Sequence, residues 1–266
     1  MLSPAQVEAF RGRGYLLPLR ALGEAEAAAL LARIDAVKPE DVAAVRHPWY
    51  YKSYLLFTWL DALVRDPRIL GPVKDILGPD VMVMSADIWR KDPEERRHIS
   101  WHQDASYWHL DPLEILTAWI ALMPATPANG CMQFAAGTHK SRVEHENTYA
   151  PDNMLSHGQR AKLEIDEASV VFDALAPGEM SLHHALLAHA SGPNTTGEPR
   201  VGLAIRYLPG NVRQSGGPPV SVMVVSGRHT GNLALETPPA QDLSPAAIAQ
   251  HERLLEPHAA SRYVNF

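Results

Sequence analysis

From about residue 80 onward, short runs of β-branched and aromatic residues alternate with clusters of Pro, Gly, Asn and Asp. Runs of this length and composition predict strands, and the clusters predict the turns between them. A series of short strands that follows a helical segment favours an antiparallel sandwich or barrel with helices packed outside it. Strands are predicted over residues 80–90, 115–123, 131–135, 168–173, 179–188 and 201–208.

Helical patterns flank this β-rich region. Ser3 and Pro4 are placed as the cap and the first residue of a helix that carries Val7, Phe10 and later Tyr15 on one side. Further helices are predicted over residues 24–37, 60–77 and 244–256. We therefore predict one domain over residues 1–266, with a helical part over about 1–78, a β core over about 80–235 and a C-terminal helix over about 244–256.

Two segments of the predicted core, 136–167 and 209–235, are polar and show no clear periodicity. Loops of this length in a compact domain are usually lids or binding loops. We therefore predict that residues 136–167 form a lid over a binding site.

The composition excludes several classes of protein. The 266 residues carry a formal net charge of -6 and no long run of Lys or Arg, so the chain has no basic footprint for nucleic acid. The single cysteine, Cys131, cannot form an internal disulfide, and we interpret it as a buried structural thiol. The first residues carry charges and no long apolar run, which argues against a signal peptide or a membrane span. A cytoplasmic protein is expected, and the sequence does not define its oligomeric state.

His102 and Asp104 lie two residues apart in a segment that is predicted to be extended. Side chains at this spacing point to the same side of the chain, so both can bind one metal ion. With one distant histidine they would form a 2-His-1-carboxylate triad, which leaves one face of iron(II) open. The pattern is short enough to arise by chance, and its alternative is a solvated loop.

A second pattern supplies the distant histidine. His189 ends an apolar run just before a turn, and Arg200 begins the next predicted strand. A hairpin would bring Arg200 alongside the strand of His189, where a guanidinium group can bind a carboxylate through two hydrogen bonds. The alternative for Arg200 is an exposed arginine in a turn.

Several motifs follow one another along the chain: Trp101-His102-Gln103-Asp104, Thr117-Ala118-Trp119-Ile120-Ala121-Leu122, Asn129-Gly130-Cys131-Met132 with Gly137-Thr138-His139-Lys140, His189-x-Ser191-Gly192-x-Asn194, and Arg200. In their order and spacing, these motifs together resemble the phytanoyl-CoA dioxygenase family. The resemblance is strongest from about residue 80 to residue 208. It implies a mainly β fold with flanking α-helices, namely a double-stranded β-helix or jelly roll.

The same resemblance implies a set of site residues and cofactors. His102, Asp104 and His189 are expected to bind iron(II). Arg200 is expected to pair with the distal carboxylate of 2-oxoglutarate, a cosubstrate that is consumed with O2 to give succinate and carbon dioxide. Four residues match positions that line the 2-oxoglutarate pocket in the family: Gln103, Trp119, Ser191 and Lys91. Halogenating relatives have a small residue in place of the iron-binding carboxylate, so Asp104 favours hydroxylation over halogenation.

Three more residues are candidates for contact with substrate: Tyr107, Trp108 and Arg206. The two aromatic residues follow Asp104 closely and could form a pocket wall, or they could simply pack against the sheet. Arg206 alternates in phase with Arg200, so both could face the interior, where a buried arginine needs an anionic partner. We expect that partner to be an acid group of the substrate, with an Asp or Glu of the fold as the alternative.

His183 shares a face with His189 by the two-residue period of a strand. Along an extended strand, however, the two would lie about 20 Å apart. We therefore assign His183 and its neighbour His184 structural or supporting roles.

Two other functions stay open on the sequence. A jelly-roll metalloenzyme of the cupin type would need no oxo acid, and Arg200 would then have no cosubstrate to bind. A non-catalytic binding protein of the same fold would have no need for three inward-facing ligands. For a dioxygenase we expect a small polar or acidic metabolite as substrate, because no region is basic enough to demand a coenzyme A or carrier-protein partner.

Overall fold

The β-branched runs form strands that pair into two main sheets, beside two small sheets of two strands each, and the predicted jelly-roll fold is confirmed. The computed structural model describes residues 1–260, without the side chains of residues 106, 107 and 258–260. The strands are β1 (Tyr15–Arg20), β2 (Val81–Lys91), β3 (Ile99–His102), β4 (Leu110–Asp111), β5 (Leu116–Ala121), β6 (Met132–Ala135), β7 (His145–Asn147), β8 (Gln159–Ala161), β9 (Val170–Phe172), β10 (Glu179–His184), β11 (His189–Ser191), β12 (Arg200–Pro209), β13 (Arg213–Gln214), β14 (Ser221–Ser226) and β15 (Ala234–Leu235).

The larger sheet has the strand order β1-β10-β5-β12-β2-β14-β15, and the smaller sheet has the order β3-β11-β6-β9. Neighbouring strands are antiparallel apart from the parallel pair β14 and β15. Strand β12 shows how the larger sheet separates its two faces. Leu203 and Ile205 belong to the main apolar core, while Ala204 and Arg206 line a cavity between the sheets.

Helices cover the outer face of the larger sheet. They are α1 (Pro4–Arg13), α2 (Glu24–Asp35), α3 (Thr58–Val64), α4 (Pro67–Leu77) and α5 (Pro245–Ala260). Leu60 of α3 and Val73 of α4 pack into the same core as Ile205, which fixes the sheet from behind. Ser3 caps α1 and Ser244 accepts from the backbone N–H of Ala247, as the sequence predicted for both helix starts. Within residues 1–260, no helix is both long enough and apolar enough to cross a membrane.

Tyr15 does not continue the first helix as predicted. Gly14 ends α1 with a φ of 85°, a left-handed conformation that glycine adopts without strain. Tyr15 then begins β1, which pairs with β10 at one edge of the larger sheet. The first 78 residues are therefore not wholly helical.

Both polar segments contain strands that the sequence did not predict. Residues 136–167 include the antiparallel pair of β7 and β8, and residues 209–235 include β13, β14 and β15. Strand β14 pairs with β2 and so belongs to the larger sheet. The Gly-Pro cluster before β14 reads as a loop, but pairing with a distant strand overrides that local signal.

A buried carboxyl joins the two sheets. Asp173 follows β9 of the smaller sheet, and its Oδ2 accepts a 2.9 Å hydrogen bond from the Ser181 hydroxyl of β10 in the larger sheet. Its Oδ1 has no hydrogen-bond partner among the described residues. Burial raises the pKa of the Asp173 carboxyl to about 7, and the Ser181 hydrogen bond opposes that rise.

Because its pKa is raised in the folded state, Asp173 should make the free energy of unfolding depend on pH. A carboxyl with a raised folded-state pKa stabilises the fold fully below its unfolded pKa, and that stability is lost as the pH rises through the folded pKa. Between pH about 4 and about 7, Asp173 should lower the free energy of unfolding by up to about 1.4 kcal/mol per pH unit. Asp173→Asn should remove this slope in urea unfolding. The exposed control Asp152→Asn should keep the native slope, and an unchanged slope in Asp173→Asn would contradict the assignment.

Candidate active site

Three predicted metal ligands meet between the sheets. His102 ends β3, Asp104 follows it in a 3-10 turn, and His189 begins β11 as the register partner of His102. Asp104 Oδ1 lies 3.5 Å from His102 Nε2 and 3.9 Å from His189 Nε2. One potential ligand atom from each residue lies within 4.8 Å of the others, a spacing that one metal ion can bridge.

The hydrogen bonds of the two rings fit metal binding. His102 Nδ1 is 2.9 Å from the Ser100 carbonyl, and His189 Nδ1 is 2.9 Å from the Leu187 carbonyl. A carbonyl only accepts, so each Nδ1 carries the hydrogen and each Nε2 keeps its lone pair towards Asp104. Histidines that bind metals are held in the same way, with the remote nitrogen donating to a backbone or carboxylate oxygen.

Asp104 uses its two oxygens for different contacts. Oδ1 faces the histidines, while Oδ2 accepts from Arg206 Nε at 3.3 Å and from the Thr117 hydroxyl at 3.4 Å. Burial acts to raise the pKa of the Asp104 carboxyl, but the opposing effects, of which the Arg206 guanidinium is the largest, hold the pKa well below its usual range. Burial lowers the pKa of His189 to about 4. The carboxylate and neutral imidazole forms are the ones that bind a metal.

Arg206 finds its anionic partners within the protein, whereas a substrate acid was expected. Its Nη1 pairs with Asp87 and also donates to the Ser85 hydroxyl at 3.1 Å, and its Nε pairs with Asp104. Ser85, Arg206 and Thr117 are register partners on three adjacent strands. Asp87, two residues along β2 from Ser85, is therefore a site residue that the sequence did not single out.

Arg200 lines the same cavity, but not through the predicted hairpin. Strands β11 and β12 belong to different sheets, so the chain crosses from the smaller sheet to the larger one between His189 and Arg200. The Arg200 side chain is buried, and Nη1 donates a 2.8 Å hydrogen bond to the Gly130 carbonyl. Its Nε has no hydrogen-bond partner among the described residues. Burial lowers the pKa of Arg200 to about 10, which leaves it a cation at neutral pH.

Trp119 and Gly202 shape the floor of the cavity beside Arg200. The Arg200 guanidinium lies 5.4 Å from the centre of the Trp119 ring. The ring covers Gly202 so closely that a Cβ atom on Gly202 would overlap it. Gly202 is thus required for the position of Trp119.

The other residues expected at the 2-oxoglutarate pocket differ in their contacts. Ser191 lines the cavity, with its hydroxyl 3.3 Å from the Gly130 carbonyl. Gln103 also lines it, but its side-chain amide bonds the backbone of Ser141, Val143 and Leu186. That amide therefore ties the 136–167 segment to the site.

Lys91 is fully buried next to the cavity. Its Nζ donates to the carbonyls of Ser191 and Gly192, and it is the register partner of Arg200. Burial is the main effect that lowers the pKa of Lys91 to about 7, and Arg200 contributes. Its ammonium group is therefore occupied with the backbone of the strand that carries His189.

The cavity has a volume of about 250 Å³ and extends from Arg200 past the three ligands. Trp108 contributes to its wall, and Met154 and Leu155 contribute from the 136–167 segment. The side chain of Tyr107 lies outside the described residues.

His183 lies much closer to the ligands than the sequence indicated. The predicted strand 179–188 ends at His184, and the chain turns before His189. As a result the rings of His183 and His189 are 4.8 Å apart, in place of the expected separation of about 20 Å. The two-residue period correctly gave the face of His183, but it gives no information on where a strand bends.

Similarity to known proteins indicates the family to which this chain belongs. A family model described as Phytanoyl-CoA dioxygenase (PhyH) matches residues 2–202. An ectoine dioxygenase of Bordetella parapertussis is 28% identical over 158 residues, which are 53% of this chain and 51% of that protein. The chain thus spans about half the length of the curated relatives it matches.

Solved structures extend the likeness over almost the whole chain. The non-heme monooxygenase ThoJ in its apo form is 32% identical, with a TM-score of 0.86 and 97% of both chains covered. A nickel complex of ThoJ is 31% identical, with a TM-score of 0.81 and coverage of 97% of this chain and 98% of that one. The region that the family model matches also contains the three clustered ligands and Arg200. The chain therefore belongs to the phytanoyl-CoA dioxygenase family, within the superfamily of iron(II)- and 2-oxoglutarate-dependent dioxygenases.

Proposed function

We propose that the protein is a cytoplasmic dioxygenase that uses iron(II), 2-oxoglutarate and O2 to hydroxylate an unactivated C–H bond of a small metabolite. The observation that carries the proposal is Arg200, a buried cation whose Nε has no partner among the described residues and which lines the cavity of the three ligands. A buried guanidinium favours a carboxylate, and a dicarboxylic oxo acid can reach it while its other end meets a metal.

Each residue has a distinct task in this proposal. His102, Asp104 and His189 would hold iron(II), and Arg200 would hold the distal carboxylate of 2-oxoglutarate. Iron(II) and 2-oxoglutarate would supply the oxidative chemistry when bound, in which O2 is consumed and succinate and carbon dioxide are coproducts. Trp119, packed over Gly202, would cover the cosubstrate and exclude water from it. The carboxylate of Asp104 supports hydroxylation over halogenation.

The first test is an anaerobic titration with iron(II) and then 2-oxoglutarate, followed by the visible metal-to-ligand charge-transfer band. Arg200→Gln should weaken 2-oxoglutarate binding by at least about 30-fold, because removing one partner of a buried charge pair costs about 2–5 kcal/mol. The exposed Arg213→Gln should behave as the native protein. Iron binding without a charge-transfer band would favour a cupin-type metalloenzyme instead, and no iron binding would favour a non-catalytic binding protein.

Gly202→Ala offers a test that leaves every charge in place. The added methyl group would displace the Trp119 ring from its place beside Arg200, and overpacking of this kind lowers fold stability by about 1–3 kcal/mol. We expect 2-oxoglutarate binding to weaken by about tenfold, as read from the same band. Gly71→Ala is the control, because a Cβ atom there has open space around it. Native affinity in Gly202→Ala would show that Trp119 does not border the cosubstrate.

A further inference from the structure

Three of the four charged side chains that line the cavity are already paired with one another. Among the described residues that line it, the charged ones are Asp87, Asp104, Arg200 and Arg206. Arg206 forms ion pairs with Asp87 and with Asp104, so its charge is shared between two acids. Arg200 is assigned to 2-oxoglutarate under the proposed function. With iron(II) and 2-oxoglutarate in place, the formal charges of the metal, the cosubstrate and these four side chains cancel.

The rest of the wall is aromatic and apolar. Tyr50 and Trp89 meet edge to face with ring centres 5.5 Å apart. Trp108, Met154 and Val220 also line the cavity. Polar groups also line this part of the wall, among them the side chains of His109, Gln159 and Gln214, the hydroxyls of Tyr50 and Tyr51, and small hydroxyl residues. Among the described side chains of this part of the wall, none is a cation that could form an ion pair with an acidic group.

An acidic group would therefore lose its water in this chamber without gaining an ionic partner. Burial of an unpaired charge is strongly unfavourable, whereas burial of apolar surface is favoured by about 25 cal/mol per Å². Aromatic walls add favourable ring contacts for a planar group.

We infer that the substrate presents an uncharged, apolar or aromatic group to the metal centre. This inference rests on the proposed function and replaces the polar or acidic metabolite that the sequence favoured. Asp87 is then a specificity-determining residue, because it cancels part of the charge of Arg206 that would otherwise attract an acid. Asp87 also accepts from the backbone N–H of Tyr51, so it holds the segment that carries Tyr50 against the cavity.

The test measures binding of probe pairs that share a ring and carry either a carboxylate or a neutral substituent at one ring position. Suitable pairs are indole with indole-3-carboxylate, 4-methylphenol with 4-hydroxybenzoate, and cyclohexanol with cyclohexanecarboxylate. Binding is followed by ligand-observed NMR on anaerobic protein loaded with iron(II) and 2-oxoglutarate, after the charge-transfer band has been recorded on the same sample. The neutral member of every pair should bind at least about tenfold more tightly.

Variants connect this preference to the cavity. Trp89→Ala and Trp108→Ala should each weaken the neutral probes by about fivefold or more, in proportion to the lost aromatic contact. Phe172→Ala, which removes an exposed aromatic residue outside the cavity, should leave the probes unaffected. Asp87→Asn should shift the preference towards the acids by about tenfold, because Arg206 then keeps one acidic partner.

The outcomes separate the two claims. If the charge-transfer band forms and the neutral preference is below tenfold or reversed, the inference fails and the proposed function stands. If the band does not form, the proposed function fails and the inference fails with it. If the preference holds but survives Trp89→Ala and Trp108→Ala unchanged, the probes bind elsewhere and the inference is overturned. A shift towards acids in Asp87→Asn, with the band retained, supports the inference directly.

Discussion

Replacing His189 by alanine should abolish iron(II) binding and, with it, all turnover of 2-oxoglutarate. His189 Nε2 lies 3.9 Å from Asp104 Oδ1, and its Nδ1 is hydrogen-bonded to the Leu187 carbonyl. Nε2 is therefore the ring atom that can bind the metal. Loss of a residue that merely supports a metal ligand costs about 10–100-fold in affinity, so loss of a ligand should exceed 100-fold. Anaerobic equilibrium dialysis against iron(II) measures this directly.

The matched control is another histidine near the same motif. His98 precedes β3, is partly exposed, and has its Nδ1 3.6 Å from Asp152. His98→Ala should bind iron(II) with native affinity. If both variants lose iron equally, the loss reflects a general disturbance of the fold. If His189→Ala keeps native affinity, the three clustered residues are not the iron site.

The three proposed metal ligands were predicted from short motifs and from the family resemblance that these motifs carry together. The spacing of His102 and Asp104 fixes their common side within one short segment, and that geometry needs no knowledge of the rest of the chain. The charge partners of Arg206 could not be predicted in this way. They depend on the pairing of β12 with β2, which puts Ser85 opposite Arg206 and Asp87 beside it. Register between strands separated by more than a hundred residues leaves no local pattern.

Bends in the chain set a second limit on prediction. The face of His183 follows from alternation along β10, but its contact with His189 follows from the turn after His184. The apolar run through residues 185–188 gives no turn signal, and so the sequence favoured a continuous strand. Strand β14 was not predicted for a related reason. Its partner β2 lies far away along the chain, so no local pattern indicates the pairing.

One buried ion pair behind the cavity wall should dominate the stability of this region. Lys52 Nζ lies 2.6 Å from Glu236 Oε1, and both side chains are almost completely buried. Lys52 also donates to the Ser221 carbonyl at 2.8 Å, and Glu236 accepts from the Ser221 hydroxyl. Lys52 adopts a φ of 65°, an unfavourable value for a residue with a side chain, directly after Tyr51 of the cavity wall. The pair therefore holds a strained segment of the wall in place.

Lys52→Met should lower the free energy of unfolding by about 3–5 kcal/mol, because it leaves the Glu236 carboxylate buried without its partner. Urea denaturation followed by circular dichroism gives this value.

Lys162→Met is the matched control, since Lys162 lies at the same 2.6 Å from Glu144 but both side chains are exposed. That control should leave the free energy of unfolding close to the native value, because both groups stay hydrated and solvent screens the pair. The double variant Lys52→Met with Glu236→Leu should regain part of the loss, because no charge stays buried, although the Ser221 carbonyl and hydroxyl lose these partners. If Lys52→Met costs no more than Lys162→Met, the buried pair does not hold the wall, and the strain at Lys52 must be balanced by the packing of Tyr51 and its neighbours.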